Sequence, residues 1–268
     1  MSGLTARLLA RLILATRWID AAHSAFDKAR SRAVVRMASD QVLMEFNALA
    51  YQKDSTYVPG AEQFRHHLFA WESATLRAHF PVAPARLLVG GAGGGREAFA
   101  LAERGYDIVA FEPAAELAAG MADKASTSSV RVFRGRYETL PDLDPARSGA
   151  AEGNLRALAP FDGAVMGWGS FSHLMSEESR IRALESMAAV VDGPIMVSFL
   201  AFRRSGETAG RLNRRNDVFS AFIGYYHVSS PAELRRLAGA AGLEICYLET
   251  DEAESSWPHA VLRRRMAR

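Results

Sequence analysis

Apolar residues follow two rhythms along the chain, and the change from one to the other divides it. From Leu4 to about Asn47 they recur at helical spacing without proline or internal glycine, which predicts one or two helices. Tyr57, Pro59 and Gly60 then interrupt the pattern. Phe64, Leu68, Trp71 and Leu76 resume it up to Pro81, before which a helix must stop. Beyond that point short apolar runs alternate with helical stretches, the rhythm of a mostly parallel sheet with crossover helices.

The runs predict seven strands, at 86–89, 108–111, 131–133, 164–167, 195–200, 244–248 and 260–263. A helix over 177–191 with Ser176 as its cap precedes the fifth strand. Another over 231–241, opened by Ser229 or Ser230, precedes the sixth. The last two strands are separated by a polar stretch too short for a helix, which predicts an antiparallel hairpin. Two segments read as loops, 141–154 and 203–216, the second carrying arginines at 203, 204, 211, 214 and 215.

Composition narrows the picture. The 268 residues can bury a full core unaided. The single cysteine, Cys246, excludes an intrachain disulfide framework and a multi-cysteine zinc site, in keeping with a cytoplasmic protein. A net charge of +2 and a pI near 8.8 lack the dense basic clustering of a dedicated nucleic-acid binder, so no nucleic-acid partner is expected. Near the start, Leu4, Leu8, Leu9, Leu12, Ile13 and Leu14 are interspersed with Arg7 and Arg11, and no acid precedes Asp20. The stretch is too short to span a bilayer and too interrupted for a secretory signal. Packing on its own domain is the expectation for such a helix; a homodimer or membrane-surface contact are the alternatives.

The chemistry is concentrated where the first strand ends, in Leu87-Leu88-Val89-Gly90-Gly91-Ala92-Gly93-Gly94-Gly95-Arg96-Glu97. A glycine turn between strand and helix lets a ligand touch the backbone, and the free amides of the helix start favour an anion. Glu112 ends the second strand about twenty residues on, where an acid can take both hydroxyls of a ribose. Together they point to a nucleoside-containing ligand. Dinucleotide binding wants a small last residue in G-x-G-x-x-G, and Arg96 occupies that place, which disfavours a nicotinamide-dependent oxidoreductase.

The spacing Gly91-x-Gly93-x-Gly95, with Glu112 and the later strands, resembles class I S-adenosylmethionine-dependent methyltransferases over about 87–263. The resemblance implies an α/β, Rossmann-like seven-stranded, mostly parallel sheet with a C-terminal antiparallel hairpin. It implies an N-terminal helical extension over 1–80 that can act as a lid, and a cofactor-binding domain over 81–268. It also implies S-adenosylmethionine as cofactor, no metal, and methyl transfer to an oxygen or nitrogen of a small-molecule acceptor. A cofactor-binding protein without turnover is the alternative outside enzymes. Carried over position by position, the cofactor residues are Gly91, Ala92, Gly93, Gly95, Glu112, Pro113, Tyr137, Gly167 and Trp168. Tyr57, Trp71, Phe171 and Tyr226 are candidates for the acceptor side, and His173 and His227 are candidate bases. The chain departs from the family twice. Val89 stands where many members have an acid, with Glu97 too far along to replace it. Arg136 stands where an aspartate often meets the adenine amine.

Overall fold

The computed structural model describes residues 2–53, 67–126, 129–142, 144–145, 155–201, 216–220, 224–250 and 257–265. Tyr57, the arginines at 203, 204, 211, 214 and 215, and most of the 141–154 loop lie outside them. Strand β1 (Arg86–Gly90) is central, flanked on one side by β2 (Asp107–Glu112) and β3 (Val130–Arg134), and on the other by β5 (Gly163–Met166) and β6 (Ile195–Ser198), all parallel. Strand β11 (His259–Arg264) lies antiparallel beside β6 and carries β10 (Leu243–Glu249) on its outer side. The seven expected strands are all present. A two-residue strand, β4 (Asp144–Pro145), adds an eighth at the far edge.

Both faces of this sheet are covered, which is why its strands read as continuous apolar runs. Successive side chains alternate between faces. Leu87 and Val89 join the cluster that contains residues of α3 (Ala70–His79), α4 (Arg96–Ala102) and α5 (Ala115–Ala125). Leu88 joins the opposite one, built with α6 (Leu155–Leu158), α7 (Glu177–Val190) and α8 (Pro231–Ala240). Burying each such side chain is worth about 1.5–3 kcal/mol. The caps follow the sequence: the Ser176 hydroxyl accepts from Ser179 N at 3.0 Å and that of Ser230 from Glu233 N at 3.1 Å, with Pro231 opening its helix. Helix α3, expected at the end of the extension, buries Trp71 and Leu76 in the sandwich.

A second sheet has no counterpart among the predicted strands beyond Leu200, the last residue of the strand expected at 195–200. Strand β9 (Gly224–Ser229) pairs in parallel with β7 (Leu200–Ala201) and antiparallel with β8 (Asp217–Ser220). Helices α1 (Ser2–Met37) and α2 (Asp40–Lys53) dock on it. Asn47 acts as a substitute strand: its side chain accepts from Tyr225 N at 2.8 Å and donates to Tyr225 O at 3.0 Å. A Cβ on Gly224 would lie 2.1 Å from the Asn47 Oδ1, so glycine is required there. The Ser31 hydroxyl accepts from Phe219 N at 2.8 Å, and Val35, Leu43 and Tyr225 share a small core. The last turns of α1 thus pack on the domain, whereas the side chains of Leu4, Leu8, Leu9, Leu12, Ile13 and Leu14, for which that packing is expected, lie outside the described ones. Among the described residues, no helix is long and apolar enough to cross a membrane.

Candidate active site

The glycine turn stands at the carboxyl edge of β1, with φ of +59° at Gly91, +55° at Gly93 and +91° at Gly95. Gly95 opens α4, and a Cβ there would sit 2.6 Å from the Phe99 ring. Ala92 is buried and donates its N–H to Phe111 O. Glu112 folds back beneath the turn: one carboxylate oxygen accepts from Gly93 N and the other from Ala114 N, each at 2.9 Å. Burial pushes its carboxyl up to about 7 against the opposing pull of those two amides. An ionised carboxylate has about four acceptor sites, so about two remain for a ligand. Pro113 is exposed beside it. Tyr137, buried, shares a 2.6 Å hydrogen bond with the Ser170 hydroxyl and packs edge-on against Phe111. At the end of β5, Gly167 donates to Gly90 O, and a Cβ there would lie only 3.0 Å from Gly91 O.

Next to this cradle lies a buried charge cluster. Arg96 donates to both carboxylate oxygens of Glu72, at 2.6 and 2.7 Å, and to Glu97 at 2.7 Å. Phe69 covers the guanidinium at 4.1 Å. The Glu97 carboxylate also accepts from Trp168 N at 3.1 Å, which places it at the end of β5. Its distance along the chain from Val89 does not keep it from the carboxyl edge of the sheet. The first turn of α4 brings it back toward Gly167, where a Cβ would lie 3.4 Å from its carboxylate. The second departure is less consequential: Arg136 is exposed and contacts the Met44 sulfur.

The two histidines have different fates. His173 receives Tyr51 from α2, with the phenol 2.5 Å from Nε2, while Nδ1 lies 2.7 Å from Tyr225 O. A carbonyl only accepts, so Nδ1 carries the proton and Nε2 accepts from Tyr51. Burial lowers the His173 pKa despite the bond to Tyr225 O, keeping the ring neutral. His227 is bound at both nitrogens, Nδ1 to Asp217 at 2.6 Å and Nε2 to Glu233 at 2.9 Å. No ring nitrogen is left to receive a substrate proton, so His227 is not the free base that the sequence admits.

Burial opposes charge on His227, but the two carboxylate bonds prevail and raise its pKa. Its contribution to stability is present below the unfolded value and is lost as pH rises through the folded one. Asp217 and Glu233 are lowered by the same bonds in spite of burial, so theirs is present above their unfolded values and lost on acidification through the folded ones. The urea stability deficit of His227→Gln is therefore expected to be about 2 kcal/mol near pH 6 and clearly smaller near pH 9. An equal deficit at both pH values would refute the charged assignment.

Phe171 is fully buried in the core and cannot face an open pocket as it stands. Trp71 lies against His259 of β11, 4.7 Å between ring centroids. Phe69 links it to Trp168, with Trp168 edge-on at 5.1 Å. Tyr226 is half-buried on β9. Tyr51 and Glu97 are the residues that sequence reasoning undervalues. Tyr51 has no local signal because its partner is 122 positions away.

No family model matches the chain, and no curated protein matches it. Solved structures do. The 1,6-didemethyltoxoflavin-N1-methyltransferase of Burkholderia thailandensis, with bound 1,6-didemethyltoxoflavin and S-adenosylhomocysteine, is 22% identical at a TM-score of 0.55. The match covers 84% of this chain and 89% of that one. The CcbJ methyltransferase of Streptomyces caelestis is 16% identical at 0.53, covering 73% and 88%. The amino pentose methyltransferase CalS10 of Micromonospora echinaspora, bound to S-adenosylmethionine, is 17% identical at 0.52, covering 81% and 95%. With its sheet order, crossover helices and C-terminal hairpin, the chain has the class I, Rossmann-like fold of S-adenosylmethionine-dependent methyltransferases.

Proposed function

We propose that the protein is an S-adenosylmethionine-dependent methyltransferase acting on an oxygen or nitrogen of a small-molecule acceptor. The observation that carries the reading is the buried Glu112 carboxylate, held under a left-handed glycine turn with acceptor sites to spare. In this reading Glu112 takes the ribose hydroxyls, and Gly91, Ala92, Gly93 and Gly95 take the amino-acid end. Glu97 supplies the acid for its ammonium group. Pro113 and Tyr137 flank the adenine, and Gly167 and Trp168 form the facing wall. The neighbours bound to 1,6-didemethyltoxoflavin and named for an amino pentose support a small acceptor.

When bound, the cofactor supplies a methyl group already activated for displacement, so the protein's work is alignment and proton removal. The Tyr51 phenol takes the acceptor's proton as it passes its own to Nε2 of His173, whose Nδ1–H stays on Tyr225 O. Within the extension over 1–80, α2 thus acts as a cap that contributes Tyr51, while α3 packs into the core of the cofactor domain of 81–268. Tyr226 and Tyr57 are the acceptor-side contacts of this reading, the second outside the described residues. Tyr51→Phe and His173→Ala are each expected to slow turnover about 100-fold while affinity for S-adenosylhomocysteine is kept. Parallel losses of turnover and cofactor affinity would count against the relay.

Calorimetric titration with S-adenosylhomocysteine tests the cofactor assignment. A micromolar Kd is expected. Ribose hydroxyls favour the ionised Glu112, so binding near pH 6.5 is expected to release a proton and to weaken as pH falls further. The heat will then differ between buffers of different ionisation enthalpy. No heat with this compound or with S-adenosylmethionine, from well-folded protein, would end the proposal.

A further inference from the structure

Helix α1 has two apolar sides, and only one is used. Ser31 and Val35 face the second sheet. On the opposite side Trp18, Ile19, Phe26 and Met37 are 77%, 67%, 65% and 84% exposed, with Ala22 and Ala29 between them. At about 3.6 residues per turn these positions form one continuous stripe. In the sequence, Leu4, Leu8 and Leu12 continue the same spacing. From Trp18 to Arg30 every residue is exposed except Asp27, which is half-buried, so this length of helix, about 18 Å, gains nothing from packing on the domain. An amphipathic helix in that position is marginal until a second surface covers its apolar side.

The charges say which surface. Helix α1 contains seven Lys and Arg residues against two Asp. Arg32 and Arg36 border the stripe on one side, and His23 and Arg30 on the other. Asp20 and Asp27 fall behind it, Asp27 paired with Arg30 at 2.9 Å and with His23 at 3.2 Å. A second copy laid on this stripe would bring basic margins against basic margins, which is repulsive. An anionic surface meets the same margins with opposite charge, and it accepts exposed Trp, Ile and Phe beneath the headgroups. We propose that the α1 stripe lies on an anionic phospholipid bilayer and holds the enzyme at the membrane surface, where an acceptor with an apolar part would be concentrated.

The test is co-sedimentation of the full chain with vesicles of phosphatidylcholine alone, or with about one-third phosphatidylglycerol. Binding to the anionic vesicles is expected to be about tenfold stronger and to fall with salt. The Ile19→Asp/Phe26→Asp double variant should lose it with no change in thermal midpoint, since both positions are exposed. Arg32→Glu/Arg36→Glu, which leaves the stripe intact, should weaken it as well. Absence of binding, equal binding to both vesicles, or binding that survives either variant would overturn the proposal. So would a dimer in sedimentation that the Ile19→Asp/Phe26→Asp variant abolishes without any vesicle binding; that result would assign the stripe to a second copy.

Discussion

An Arg96→Met protein is expected to lose about 3–5 kcal/mol of stability, the range for removing one partner from a buried ion pair. Arg96 is 6% exposed and Glu72 only 1%, so both carboxylates bound to Arg96 would be left in a dry interior without their cation. Burial already raises the Glu72 pKa, with Glu97 nearby pushing the same way against Arg96. Without the guanidinium, at least one of the acids must take a proton to remain inside. The midpoint of urea unfolding measures the loss. A double-mutant cycle with Glu72→Gln should show part of the loss restored, because the second change removes one stranded charge. A deficit below about 1 kcal/mol would mean that the cluster is solvated rather than buried.

Glu112→Ala is expected to weaken S-adenosylhomocysteine binding by about 100- to 1000-fold. Two hydrogen bonds to a charged acceptor, each at the lower end of about 1.5–3 kcal/mol, account for a loss of that order. Glu112→Gln keeps one acceptor oxygen without the charge, so it should lose less affinity and also abolish the weakening of binding on acidification. Circular dichroism checks that the fold is retained, since Gly93 N and Ala114 N lose a partner in the alanine variant. If calorimetry gave both variants the affinity of the parent, the ribose assignment would fall.

How far these features can be read from the sequence depends on how local their causes are. Strands β1, β2 and β5 are legible because burial on both faces demands unbroken apolar runs, and the glycine turn and Glu112 because each sits at a strand end. Strands β8 and β9 are not. Every residue of β8 is half-buried, so no alternation marks it, and its approach carries the arginines that signal a loop. The misreading of His227 follows from that. Asp217 is its cross-strand neighbour in the β8–β9 register, and Glu233 arrives from the next helix, so the two carboxylates are invisible until the hairpin is known. Glu97 stands eight positions from Val89 in the sequence, and its reach to Trp168 depends on the direction of the first helical turn. The Tyr51 and His173 pair requires the docking of α2 through Asn47, a tertiary event with no sequence period.

One feature of the sheet bears on how the molecule assembles. Strand β11 follows β10 in the chain but lies between β6 and β10 in the sheet. During synthesis, β10 leaves the ribosome before its one sheet neighbour, β11, and the outer edge of β6 stays open to stray pairing. Nascent chains halted before His259 would therefore leave β6 and β10 both without their shared partner, a natural target for holdase chaperones until β11 slots in.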